Sequence, residues 1–106
     1  MRRLTKLHQK VYNLLKKIPK GKVTTYKILA RVVNRPKNWR EIGKILSQNS
    51  YPQKYPCYKV VRSDGKIGGY KFGVKKKIVL LKRDGIIFKK NKVFNFKKHL
   101  FNFFYE

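Results

Sequence analysis

A chain that sets 29 lysines and arginines against four acids (Glu41, Asp64, Asp84 and Glu106) can fold only around a core that leaves most cations in water. A formal charge of +25 on 106 residues repels itself in the compact state, and a bound polyanion relieves that repulsion. Phosphate backbones are the obvious polyanion, through release of condensed counterions. Two other readings fit the same charge: lysines that decorate a merely solvated surface, and attraction to an anionic membrane. The hydrophobic fraction of 42% suffices for a core, which excludes disorder throughout, and the length suits one domain.

A single cysteine, Cys57, excludes an intramolecular disulfide. With only His8 and His99 beside it, far apart in the chain, a structural zinc site is excluded too. The basic start Met1-Arg2-Arg3-Leu4 is followed by no continuous apolar run, so no signal peptide is expected. No stretch approaches the length of a transmembrane helix. These features predict an intracellular protein of the cytoplasm, nucleoid or nucleus, without a membrane part.

Leu4, Leu7, Val11, Leu14, Leu15 and Ile18 recur at helical spacing and predict an amphipathic helix from about Leu4 to Lys17. Pro19-Lys20-Gly21-Lys22 reads as a turn, after which Thr24 or Thr25 caps a short helix with Ile28, Leu29, Val32 and Val33 inward. Asn34-Arg35-Pro36 breaks it. A third helix, with Ile42, Ile45, Leu46 and Trp39 inward, carries Arg40 and Lys44 and ends near Asn49. Two short helices joined by a tight turn predict a helix-turn-helix. Val60-Val61 and Ile67 flank Arg62-Ser63-Asp64-Gly65-Lys66, which predicts a hairpin. A helix from Val74 to Asp84 should bury Ile78, Val79 and Leu81 and stop at Gly85, with Ile86-Ile87-Phe88 as a short strand. Residues 89–106 alternate Lys with Phe. They could form an amphipathic helix that closes the core, or lie on a membrane or in a partner's groove. The expected class is a mainly α, helix-turn-helix or winged-helix-like DNA-binding domain with a small β-hairpin, over 1–88, with 89–106 as a basic-aromatic extension packed on it.

Cys57 lies between Pro56 and Tyr58, beside Lys59. A lone cysteine is commonly an inert small hydrophobe, but a proline-containing loop, an adjacent lysine and a positive field all favour the thiolate. Pro56-Cys57-Tyr58-Lys59-Val60-Val61 resembles the PCHRVV active-site motif of the O6-alkylguanine-DNA alkyltransferases. The resemblance begins at Val11-Tyr12. Ile18-Pro19-Lys20-Gly21-Lys22-Val23-Thr24-Thr25-Tyr26 is similar to IPxGxVxTY, Arg40-Glu41-Ile42-Gly43 to RAVG, and Asn49-Ser50-Tyr51-Pro52 to NPxP. Ser63-Asp64-Gly65 with Ile67-Gly68-Gly69-Tyr70 is similar to SxGxLGGY, and Leu80-Leu81 with Asp84-Gly85 to LLxxEG. About three-quarters of the chain is covered in family order, without the family's N-terminal domain. That size is also that of the alkyltransferase-like proteins, which bind damaged bases but lack the cysteine.

The resemblance implies that Cys57 takes the alkyl group from guanine O6 of a flipped nucleotide, once and irreversibly. It implies that Arg40 fills the gap in the stack, from a helix that enters the minor groove with Gly43 and Lys44 at the DNA. Tyr26 would press on the flanking phosphate or donate to the leaving guanine, and Lys59 would keep the positive charge of the motif's Arg. Tyr70, Gly68, Gly69 and Val60 would line the base pocket, with Asn49 holding the loop that presents Cys57. Tyr58 and Asp84 stand where the family has a His–Glu pair that takes the thiol proton through a water. Glu41 stands where the family has a small residue. The implied partner is duplex DNA containing alkylated guanine, bound by a monomer with no metal or organic cofactor. Taken one at a time, the same residues have structural readings: Arg40 as a solvated charge, Tyr26 and Tyr70 as half-buried core, Asn49 as a helix cap, and Gly68-Gly69 as a turn. Two further functions fit: a damage sensor that binds without transfer, and a basic packaging protein indifferent to damage.

Overall fold

A computed structural model describes residues 5–104. Thr5 opens the first helix, α1 (Lys6–Lys17), by accepting the His8 amide at 3.1 Å, and the helix buries Val11, Tyr12 and Leu15. Pro19 and Gly21 then turn the chain into β1 (Thr24–Thr25). Thr25 leaves that strand as the N-cap of α2 (Tyr26–Val32), its hydroxyl accepting the Ile28 amide at 3.0 Å. Residues 33–38 lead to α3 (Trp39–Ser47), which turns Ile42, Ile45 and Leu46 into the core. After the proline-containing loop, one turn of 3-10 helix (Cys57–Lys59) runs into β2 (Val60–Val61). The remaining elements are α4 (Val74–Arg83), the hairpin β3 (Phe88–Lys89) and β4 (Lys92–Val93), and α5 (Phe96–His99).

The protein is mainly α with a small antiparallel hairpin, the class expected. β1 and β2 pair in parallel, with Thr24 beside Val60 and Thr25 beside Val61. This short ladder separates two apolar clusters. Because a strand alternates sides, Val60 packs with α1, α2 and α3 while Val61 packs with Val23, Leu81, Ile86 and Val93. The ladder therefore anchors the 3-10 turn that leads into it, whose first residue, Cys57, packs in the first cluster.

Five expectations are corrected. The turn at residues 62–66 forms, with the Arg62 amide donating to Lys66 O at 2.9 Å, but its arms do not make the hairpin. Val60-Val61 pair with β1 instead, and the antiparallel hairpin lies at residues 88–93. The connection from α2 to α3 is longer than a tight turn, because Arg35 and Pro36 add a loop held by the Arg35 amide on Ala30 O at 2.7 Å. Trp39 does not face inward and is 38% exposed. Ile78 and Val79 do not fill the buried face of α4. Lys77 and Leu81 do, while Val79 is 54% exposed. Residues 89–104 are not one amphipathic helix. They form the hairpin, the single turn α5, and an extended stretch in which Phe101 donates to Val23 O at 2.9 Å, so short-range alternation was closer to strand than to helix. Among the described residues no helix is long and apolar enough to cross a membrane.

Candidate functional site

The 3-10 turn places Cys57 at the floor of a cavity of about 270 Å³, lined also by Tyr26, Gly43, Leu46, Gly69, Tyr70 and Lys71. The thiol is 6% exposed. Asn49, itself buried, holds it from behind: Nδ2 donates to Sγ at 3.3 Å and to Tyr55 O at 2.8 Å, while Oδ1 accepts the Tyr51 amide at 3.0 Å. One amide thus ties both ends of the 51–57 loop to the sulfur. Burial pushes the Cys57 thiol up, and the Asn49 hydrogen bond and the charges of Lys77 and Lys71 offset only part of that. Burial, with the neighbouring Cys57, also pushes the Tyr26 and Tyr70 hydroxyls up, so both stay neutral donors at neutral pH.

The cavity opens into a larger cleft of about 820 Å³, walled by Trp39, Arg40, Arg62, Lys66, Ile67 and Gly68. Tyr26, Gly43 and Gly69 line both spaces. Gly68 sits at φ +70°, and a Cβ there would stand 3.4 Å from the Tyr26 hydroxyl, so a side chain would crowd the passage. Arg40 occupies the first turn of α3, its guanidinium 5.1 Å from the Trp39 ring. Lys44 is exposed on the same helix but lines neither space.

Two expected site residues, Lys59 and Val60, are placed elsewhere. Lys59 is 7% exposed, and its ammonium donates to Ile18 O at 2.8 Å, so it ties β2 to α1 and is closed to a phosphate. Val60 is fully buried in the apolar core and does not line the pocket. Asn49 supports the loop from the core side and is not a pocket wall. The Tyr58 hydroxyl donates to Asp84 Oδ2 at 2.6 Å. Burial and that carboxylate push Tyr58 far up, which closes the phenolate route. Neither histidine is there: His8 bonds Gln48 at 2.5 Å and His99 bonds Gly21 O at 2.9 Å. Among the described residues no group of three or more His, Cys, Asp or Glu could hold a metal ion.

Lys77 was missed. Its side chain is fully buried, and Nζ donates to Val60 O at 2.7 Å, Ile67 O at 2.6 Å and Gly69 O at 3.0 Å. It pegs β2, the 62–67 turn and the glycine loop of the pocket to α4. Burial pulls its pKa down to about 8. A lysine within a run of three offers a periodicity argument nothing but a solvated charge. The only available signal was a position four residues before Leu81, on its helix face.

A model of the 6-O-methylguanine DNA methyltransferase DNA-binding domain matches residues 6–86. The chain is 42% identical over 98 residues to a bifunctional methyltransferase/endonuclease of Picrophilus torridus, covering 92% of this chain and 33% of that one. It therefore spans a third of that relative's length. It is similar to the crystal structure of the O6-methylguanine-DNA methyltransferase of the hyperthermophilic archaeon Pyrococcus kodakaraensis KOD1. Identity is 38% and TM-score 0.71, over 78% of this chain and 48% of the other. It is also similar to S. pombe ATL in complex with DNA, at 25% identity and TM-score 0.80, over 95% and 99% of the two chains.

Proposed function

Because the chain belongs to the family of the 6-O-methylguanine DNA methyltransferase DNA-binding domain, we propose that it repairs O6-alkylguanine in duplex DNA by single-use transfer to Cys57. The observation that carries this reading is the nucleophile at the floor of a cavity that a basic, helix-edged cleft leads into. A flipped guanine enters past Gly43 and Gly69, and Tyr70 bounds it. Sγ attacks the alkyl carbon, the carbon–O6 bond breaks with its electron pair left on the guanine, and that guanine, which stays in the DNA, takes a proton from water. The neutral Tyr26 hydroxyl stabilises the leaving oxygen or ring as a donor. Tyr58, held on Asp84, accepts the thiol proton through a water as its own proton passes to the carboxylate. Arg40 and α3 face the minor groove, and Lys44 adds charge toward the backbone. The DNA-binding unit is 1–88, with 89–106 as an extension packed on it, acting as a monomer inside the cell.

The test is loss of O6-methylguanine from a duplex, read as released nucleosides. A plateau at one lesion removed per protein is expected, and continued turnover or no loss at all would overturn the reading. Tyr58→Phe is expected to lower the transfer rate about a hundredfold, in the range of a lost general acid–base group. An unchanged rate would remove Tyr58 from the proton path. Arg40→Ala is expected to weaken binding to the damaged duplex about tenfold, or about 1.4 kcal/mol, and to spare most salt-dependent binding to intact DNA. Competition between the two duplexes by fluorescence anisotropy measures both.

A second reading, a damage sensor that binds without transfer, is favoured by one observation. The thiol is buried and pushed up, with a neutral phenol in place of a base.

A further inference from the structure

The exposed tryptophan at the start of α3 has no place in the scheme above. Trp39 is the single tryptophan of the chain and stands 38% exposed at the wall of the outer cleft. Its ring carries the Arg40 guanidinium 5.1 Å from the centroid and the Lys27 ammonium at 5.9 Å. Arg62 and Lys66 line the same cleft, so a large aromatic surface sits inside a cationic rim. An indole left this open forgoes the burial that the neighbouring Ile42 obtains one turn further along α3. An aromatic surface in a basic groove is the arrangement that stacks nucleobases while cations track the phosphates.

We propose that Trp39 is a second base subsite, outside the alkyl pocket, which stacks on a base of the duplex that has lost its pairing partner. It rests on the reading that this chain opens a base pair in DNA. Arg40 and Trp39 are adjacent, so the side chain that enters the stack and the one that receives the orphaned base come from the same helix end. On DNA, Arg40 leaves the indole for the gap in the stack and Lys27 leaves it for a phosphate, which clears its face for the base. The shared wall of Tyr26, Gly43 and Gly69 puts this subsite next to the nucleotide bound over Cys57. Occupancy of the two would hold the opened pair from both sides.

The single tryptophan makes the test direct. Its fluorescence is followed while the full chain is titrated with a duplex carrying one abasic site, whose opposite base is permanently unpaired. A fully paired duplex of the same length is the comparison. This probe contains no alkylguanine, so the result does not depend on transfer. Strong quenching by the abasic duplex and little by the paired one is expected. Trp39→Ala should weaken binding to the abasic duplex about tenfold more than to the paired one, and Trp39→Phe should restore most of the difference. Equal quenching by both duplexes, or an equal loss of affinity for both in Trp39→Ala, would overturn the subsite and leave the proposed function standing. Binding to neither duplex would overturn the proposed function and the subsite together.

Discussion

Lys77→Ala is expected to lose about 3–6 kcal/mol of folding stability, a large part of the 5–15 kcal/mol typical of a domain. The substitution orphans the carbonyls of Val60, Ile67 and Gly69 at about 1–3 kcal/mol each. It also removes three buried methylenes at about 0.8 kcal/mol each. Against this, it relieves the cost of keeping a charge in a fully buried site. A fall in pKa from 10.5 to about 8 corresponds to about 3 kcal/mol. Lys77→Met, which keeps most of the stem, should recover the packing and leave the orphaned carbonyls as the loss. Urea unfolding of the three proteins measures these differences.

The same lysine sets a pH signature. Its folded pKa lies below the unfolded one, so the folded state gives up the proton first. Below about pH 8 both states hold it and the desolvation cost is fully present. Between 8 and 10.5 the unfolded chain binds more protons than the folded one, and stability rises with pH. The wild-type advantage over Lys77→Ala is therefore expected to widen by about 3 kcal/mol across that window. Taking the difference between the two proteins cancels the other lysines, whose titration also relieves repulsion.

Cys57→Ala is expected to abolish transfer completely while leaving a folded, DNA-binding protein. No other thiol exists in the chain, and the Asn49 bonds to Tyr55 O and the Tyr51 amide persist without the sulfur. The lost side-chain volume is one sulfur atom at the edge of the α1–α3 cluster, so the stability cost is about 1 kcal/mol. With the acceptor gone and the cavity intact, this variant should bind the damaged duplex at least as tightly as the wild type and hold it unreacted.

Much of the fold could be read from residue spacing. Val11, Leu15, Ile42, Ile45 and Leu46 lie where a 3.6-residue period puts a buried face, and Thr25 caps its helix as its chemistry dictates. What escaped depended on partners far along the chain. Lys59 and Lys77 look like surface charges because the Ile18, Val60, Ile67 and Gly69 carbonyls that satisfy them lie up to 41 residues away. Val60-Val61 looked like a hairpin arm because a turn follows, yet the parallel partner lies across the core at Thr24–Thr25. Trp39 shares helical spacing with the inward Ile42 and Leu46, and nothing local reveals that two cations and an open cleft surround it. Of the site itself, the cavity joins Tyr26, Gly43, Cys57, Gly69 and Tyr70, residues scattered over 45 positions that only the family motifs had linked.

The central claim is that Cys57 is an acceptor and not a vestige. It is tested most directly by the intact mass of the protein after mixing with a duplex containing one O6-methylguanine, with Cys57→Ala and an undamaged duplex as controls. A stoichiometric gain of one methyl group is expected, mapped to the peptide bearing Cys57 and absent from both controls. An unchanged mass in the presence of tight, lesion-selective binding would contradict it and make the chain a sensor.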